Sequence, residues 1–204
     1  MKNKIIAVIG AGGKTTLIHR LAEEYRRKGA SVLVSTTTHM LVEPDTDLSC
    51  DSFAIMEKIK KTGYCMAGAV CPENSAKMQS LPEQMLHDLM KQVDYALIEA
   101  DGAKHYALKY PSEQEPVIPE GTTDVILVLG SWDLGKPCKD VVFRFEHMAS
   151  ALGISGDMKA DKQMLRWIWQ AYEEKLKNMD YQGHFHVLLS EKTDQGLMFH
   201  TLEE

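Results

Sequence analysis

No apolar stretch in this chain approaches the roughly 20 residues that a membrane-spanning helix needs, so no transmembrane segment is expected. The opening Met1-Lys2-Asn3-Lys4 followed by Ile5 to Gly13 resembles a secretion signal only superficially. Its apolar part is short and turns glycine-rich, then runs into Lys14 where a cleavage region belongs. A cytoplasmic protein is the expectation. Excess basic charge is also lacking: the formal net charge is −6, whereas a nucleic-acid binder normally presents a basic face. The four cysteines, Cys50, Cys65, Cys71 and Cys138, form no CxxC pair. Zinc ribbons and disulfide scaffolds usually announce themselves by close spacing or a short secreted chain. Reduced packing residues are therefore expected. Internal repeats and low-complexity tracts are absent as well.

What is present is an ordinary globular composition, with 44% hydrophobic and 25% charged residues over 204 positions. That length suits one large domain, here 1–204, with a loop-rich insertion around 101–123 and a helical segment around 143–178. β-branched apolar runs alternate with helical segments, which predicts an α/β fold: a mostly parallel sheet flanked by helices. Lys4 to Gly10 reads as a buried strand because Ile5 to Ile9 are continuously apolar. A helix from about Lys14 to Lys28 follows, with Leu17, Leu21 and Tyr25 on one face and Gly29 as its stop. Ser31 to Ser35 is a second strand. Phe53 to Met56 and Tyr64 to Val70 are predicted short strands around a helix near Glu57 to Lys61. Leu81 to Gln92 is a predicted helix capped by Ser80 with Pro82 in its first turn. Asp94 to Ala100 and Asp124 to Gly130 are strands, separated by a stretch with three prolines and little periodicity. Lys162 to Lys177 is a helix with a core stripe of Met164, Leu165, Ile168, Trp169, Tyr172 and Leu176. His184 to Ser190 is the last predicted strand, with no closing helix after it, as in a shortened or reduced C-terminal end.

The segment Gly10-Ala11-Gly12-Gly13-Lys14-Thr15-Thr16 lies between a strand and a helix, the order of a P-loop. Its glycines let backbone amides face phosphate oxygens, and the helix start adds a favourable partial charge. Lys14 would neutralise β- and γ-phosphate charge, and the Thr15 hydroxyl would ligate Mg²⁺. The consensus first glycine falls on Val8, so the loop is a compact variant. The lysine and threonine also fall where the third glycine of a dinucleotide loop would stand. The partner is thus a nucleoside triphosphate, ATP or GTP, with Mg²⁺. A P-loop also needs an acidic strand end, and alternation places Leu97, Glu99 and Asp101 on one face at the carboxyl end of a strand. Asp101 is assigned to the metal or its shell and Glu99 to polarising water or a substrate hydroxyl, with the two roles exchangeable. Thr36, Thr37 and Thr38 end the second strand, where Thr37 would meet a γ-phosphate or its metal; β-propensity alone explains such a run equally well. His39 reads as structural.

These segments together resemble the YqeC-type family, P-loop proteins described as accessory to selenium-dependent molybdenum hydroxylases. The resemblance covers most of the chain. It rests on the loop above, on Ser35-Thr36-Thr37-Thr38-His39 and on Ile98-Glu99-Ala100-Asp101-Gly102-Ala103. It also rests on Lys109 to Pro119, which contains Glu115-Pro116-Val117-Ile118-Pro119. It implies a P-loop NTPase-like three-layer sandwich and an NTP-dependent maturation factor with slow hydrolysis, acting on a molybdenum hydroxylase or its cofactor. A small-molecule kinase or nucleotidyltransferase acting on that cofactor or on a selenium compound is the alternative; a module with purely structural nucleotide is a third. Lys104, Lys109 and Arg144 become candidate contacts for an anionic partner such as a phosphorylated pterin, with Lys109 foremost. The family carries a His-Arg pair where this chain has Phe143-Arg144. Glu191-Lys192-Thr193-Asp194 stands where guanine readers carry Asn-Lys-x-Asp, leaving Asp194 as a guanine contact or a residue of a charged surface turn.

Overall fold

The structure, a computed structural model, describes residues 3–202. Two compact units emerge, each assembled from discontinuous stretches: 3–8, 15–102 and 117–124 in the first, and 9–14, 103–116 and 125–202 in the second. The fold is α/β, its strands mostly parallel and flanked by helices.

The first unit holds β1 (Lys4–Gly10, to Val8), α1 (Lys14–Arg27, from Thr15), β2 (Val32–Thr36), β3 (His39–Leu41), α2 (Ser52–Thr62), β4 (Tyr64–Met66), β5 (Ala69–Val70), β6 (Lys77–Gln79), α3 (Glu83–Lys91) and β7 (Tyr95–Glu99). β7 pairs in parallel with β1, aligning Val8 with Glu99, and with β2, aligning Thr36 with Glu99. β4 joins β2 on its far side, giving the order β1-β7-β2-β4. Buried on both faces, β1 and β2 need apolar runs, which Ile5 to Ile9 and Val32 to Val34 supply before β2 ends in the buried polar pair Ser35 and Thr36. One face of these strands contributes Ile5, Leu33, Ala96 and Ile98 to a core with Ile55 and Ile59 of α2 and Leu86, Leu89 and Met90 of α3. Across β7, Tyr95 stacks on Tyr25 of α1 with ring centroids 3.7 Å apart. β3, β6 and β5 form a separate small antiparallel sheet.

Three expectations fail in this unit. The predicted strand from Tyr64 to Val70 divides into β4 and β5, which belong to different sheets. Phe53 to Met56 is helix rather than strand: the Asp51 carboxylate accepts from the amides of Phe53 and Ala54, starting α2 at Ser52. Once capped, the run points Ile55 and Ile59 inward at i, i+4 and leaves Phe53 in solvent. Ser80 does not cap α3. Pro82 takes that position without a side-chain bond, and the Ser80 hydroxyl donates to the Leu81 carbonyl instead.

The starts of β2 and β7 are joined by a reciprocal clamp. Asp94 accepts from the Ser31 amide at 2.9 Å and the Ser31 hydroxyl at 2.8 Å, while its own amide donates to that hydroxyl at 2.9 Å. The Ser31 amide first, and then the hydroxyl, hold the Asp94 carboxyl below its usual value. A depressed acid stabilises the fold above the ordinary aspartate range and ceases to do so as pH falls through its lowered value. Asp94→Ala should therefore lower the unfolding free energy by about 1–2 kcal/mol at neutral pH, discounted for partial exposure. Urea denaturation near pH 7 should show this gap, and it should shrink progressively below about pH 4. A gap independent of pH would mean that the ionised form contributes nothing.

The second unit holds the segment Ile9 to Lys14, β8 (Leu108–Lys109), β9 (Asp124–Gly130, from Val125), α4 (Cys138–Val141), β10 (Val142–Phe143), α5 (Phe145–Leu152), α6 (Lys162–Asn178), β11 (His184–Thr193) and β12 (Gly196–Thr201). β8 pairs in parallel with β10, and β9, β11 and β12 are consecutive neighbours. Met164, Leu165, Ile168, Tyr172 and Leu176 of α6 are buried as the stripe predicts, with Trp169 only partly covered. The predicted last strand runs three residues beyond Ser190 and turns into β12, an antiparallel hairpin that the sequence reading omits. Among the described residues, no helix is long and apolar enough to cross a membrane.

Candidate functional site

In the first unit the polar residues predicted to act together gather at the carboxyl ends of β1, β7 and β2, where α/β folds collect ligands. Glu99 ends β7 and is 93% covered, being 7% exposed. Its Oε2 accepts from the Thr15 hydroxyl at 3.0 Å. Asp101, two residues further on, is fully buried. The Thr36 hydroxyl donates to the Glu99 carbonyl at 2.8 Å and accepts from the Thr38 amide at 3.0 Å. Thr37 follows the same backbone: its amide donates to the Glu99 carbonyl and its hydroxyl to the Val117 carbonyl at 2.7 Å. The threonine run is thus a local brace that fixes the turn after β2 against β7. The carboxylate brought to Thr15 is Glu99, which the sequence reading assigned to water, and not Asp101, which it assigned to the metal shell. Thr15, Glu99 and Asp101 supply oxygen donors alone, the set a hard cation such as Mg²⁺ prefers.

In the second unit, the stretch Ile9 to Lys14 has the backbone of a tight anion loop. Gly10, Gly12 and Gly13 have φ of +88°, +88° and +112°, values that side-chain-bearing residues rarely adopt. Space forbids a side chain as well: a Cβ on Gly10 would strike the Val128 carbonyl, and one on Gly12 would lie 2.5 Å from the Gly130 nitrogen. Val8, at the consensus position of the first glycine, is still an ordinary strand residue opposite Glu99. The strand simply runs two residues further, and Gly10 makes the hinge. Lys14 is almost fully buried and its ammonium donates to the Gly10 carbonyl at 2.8 Å, which closes the lysine over its own loop. The Ser190 hydroxyl of β11 donates to the Gly12 carbonyl and so ties the loop to that strand. Ala11 departs from expectation: its amide donates to the Val128 carbonyl at 2.9 Å and so continues the strand ladder. Among the described residues the Gly12 and Gly13 amides meet no backbone acceptor.

The other predicted anion contacts are answered from within the second unit. Lys109 is fully buried, and its ammonium lies 2.6 Å from the Glu115 carboxylate. Arg144 places a guanidinium nitrogen 2.6 Å from the same oxygen and packs on the Phe143 ring at 5.1 Å. Lys109 and Arg144 thus share one carboxylate of the chain itself, that of Glu115. The Phe143 ring also lies beside Lys104, whose ammonium is 5.3 Å from the ring centroid. Asp194 is exposed in the turn between β11 and β12. The three residues before it are hairpin residues, and Lys192 lies over the Trp132 ring. No signal in the sequence marks Ser190, whose partner is remote in the chain, and Glu115 is marked only as part of the 115–119 segment, with no role attached.

The described geometry can be set beside known proteins. A family model described as YqeC protein matches residues 6–146. That span takes in the glycine loop, the threonine brace, Glu99, Asp101 and the Lys109–Glu115–Arg144 triad. The uncharacterized protein YqeC of Escherichia coli (strain K12) is 34% identical over 161 residues, which are 75% of this chain and 62% of that protein. The chain thus spans a little under two thirds of that relative's length. No solved structure matches. On these matches the chain belongs to the YqeC family.

Proposed function

We propose that this chain is a P-loop protein of the three-layer NTPase type that binds Mg²⁺–nucleoside triphosphate and hydrolyses it slowly. The observation that carries the reading is the 3.0 Å hydrogen bond from Thr15, which directly follows Lys14, to Glu99 at the end of β7. A hydroxyl beside the P-loop lysine, tied to an acidic strand end, is the pairing that metal-assisted phosphoryl transfer requires. Gly12 and Gly13 would present amides to phosphate oxygens, and Lys14 would exchange the Gly10 carbonyl for them. Thr15, with Glu99 or Asp101 in the shell, would hold Mg²⁺, whose charge offsets that of the β- and γ-phosphates. The brace from Thr36 to Thr38 and the stretch after Asp101 would respond to the γ-phosphate as switch segments do. The wider role in this reading, suggested by the resemblance alone, is that of a cytoplasmic accessory factor in maturing selenium-dependent molybdenum hydroxylases.

The test is a binding panel of ATP, GTP and CTP, with and without Mg²⁺, on the parent and on Lys14→Ala and Asp194→Ala. Binding should depend on Mg²⁺ and weaken by about 100-fold in Lys14→Ala, the loss of one strong charge-assisted contact. Undiminished affinity in that variant would remove the P-loop assignment. Asp194→Ala should leave ATP and GTP affinities unchanged, because Asp194 sits in an exposed hairpin turn; a selective loss of GTP would instead establish guanine reading. NTP consumption that appears only when a pterin or selenium compound is added would favour a small-molecule kinase or nucleotidyltransferase over a maturation factor.

A further inference from the structure

His39 closes the threonine run and takes no part in the phosphate reading, yet the small sheet of the first unit gives it specific company. It is the first residue of β3 and pairs with Gln79 of β6. On the other side of β6, Ala69 of β5 pairs with the same Gln79, and the chain then turns through Cys71, Pro72 and Glu73. That turn is closed by the Asn74 amide on the Cys71 carbonyl at 3.2 Å. One donor atom each from His39, Cys71 and Glu73 lies within 4.8 Å of the other two. Cys71 is 3% exposed, and its thiol donates to the Glu73 carboxylate at 3.4 Å.

We propose that His39, Cys71 and Glu73 form a binding site for one zinc-type divalent transition-metal ion, with a fourth position open to solvent. The donor set decides the class of ion. An imidazole, a thiolate and a carboxylate match Zn²⁺ and its neighbours, whereas Mg²⁺ takes oxygen alone. Tetrahedral zinc bonds of about 2.0–2.3 Å place ligand atoms about 3.4–3.6 Å apart. The thiol–carboxylate separation already meets that edge, and the remaining closure falls to His39 and Glu73, both exposed side chains. The ion replaces the thiol proton that now bridges to Glu73, so binding releases that proton to solvent. Sequence spacing hides such a site because Cys-x-Glu is no zinc signature, and His39 is 32 residues away from Cys71, as 71 − 39 shows. Occupancy would also fix the turn from Thr36 to His39, whose other end is bonded to the Glu99 backbone.

The experiment uses the full chain, reduced and stripped of metal, titrated with Zn²⁺ against a chromogenic chelator and separately with Co²⁺. One equivalent should bind, and Co²⁺ should produce a thiolate charge-transfer absorption. Cys71→Ser should abolish that absorption and weaken Zn²⁺ binding by more than about 100-fold, since even loss of an outer partner costs 10–100-fold. Glu73→Gln, at an exposed position, should weaken binding while leaving the circular dichroism spectrum and thermal unfolding of the apo chain unchanged. His184→Ala with His186→Ala removes a stacked imidazole pair of the second unit and should leave binding intact. The proposal is overturned if the cobalt band is missing, if Cys71→Ser or Glu73→Gln binds like the parent, or if the His184/His186 variant is the one that loses the ion. None of these readouts involves nucleotide, so their failure and a failure of the phosphate reading are separable.

Discussion

Glu115→Ala should be the most damaging single substitution outside the hydrophobic core. It removes one carboxylate that holds two cations, one of them the fully buried Lys109. Desolvating an ammonium costs several kcal/mol, which its ion pair must offset. Deleting the acid alone leaves that cost in place, and the expected loss is about 3–5 kcal/mol. Set against a typical stability of about 5–15 kcal/mol, this brings the fold close to its limit. Chemical denaturation should show a large drop in midpoint, or the variant should fail to accumulate as soluble protein. Arg144→Ala should cost far less, about 1 kcal/mol, because its guanidinium is partly in water. The decisive comparison is Lys109→Met with Glu115→Leu. Removing both charges should recover most of the loss, since apolar replacement of a buried pair is often neutral. A double variant as unstable as Glu115→Ala would show that shape, and not charge compensation, governs this loop. A single variant losing under about 1 kcal/mol would show that water reaches Lys109 after all.

That triad also marks where sequence reading runs out. Lys109 and Arg144 are basic residues, and nothing local distinguishes a cation awaiting a ligand from one already paired. The partner lies inside an aperiodic stretch between prolines, where no helical or strand period places side chains. By contrast β1, α1, β7 and α6 were legible, because their burial repeats along the chain and the glycine loop sits between the first two. α2 shows the intermediate case. Phe53-Ala54-Ile55-Met56 is a short apolar run that fits a strand or a buried helix equally, and the Asp51 cap decides for the helix. β12 was legible in principle, since Leu197 and Phe199 alternate with the exposed Met198 and His200. The turn before it, closed by the Thr193 hydroxyl on the Gly196 carbonyl, reads as a charged surface segment until its far strand is considered. Within the glycine loop the sequence identifies the glycines, while the carbonyl held by Ser190 and the amide diverted from Ala11 are properties of packing.

Glu99→Gln should separate binding from chemistry. The amide keeps an oxygen able to accept from the Thr15 hydroxyl, so the bond between Thr15 and the end of β7 should survive. What disappears is a nearly buried negative charge beside the residue proposed to hold Mg²⁺. If Glu99 takes a proton from the attacking water, the turnover of saturating Mg²⁺–nucleotide should fall by about 10²–10⁴-fold, the usual contribution of a positioned base. Nucleotide affinity should change by less than about tenfold. Asp101→Asn, in a fully buried position, should act differently if it belongs to the metal shell: the Mg²⁺ concentration needed for half-maximal turnover should rise. Steady-state hydrolysis across a Mg²⁺ series on both variants reads the two roles independently. Should Glu99→Gln shift the Mg²⁺ requirement and Asp101→Asn abolish turnover at saturating metal, the roles are exchanged. Should both variants turn over like the parent, the acidic pair is structural, and hydrolysis at the glycine loop has to be explained by Lys14 and the backbone amides alone.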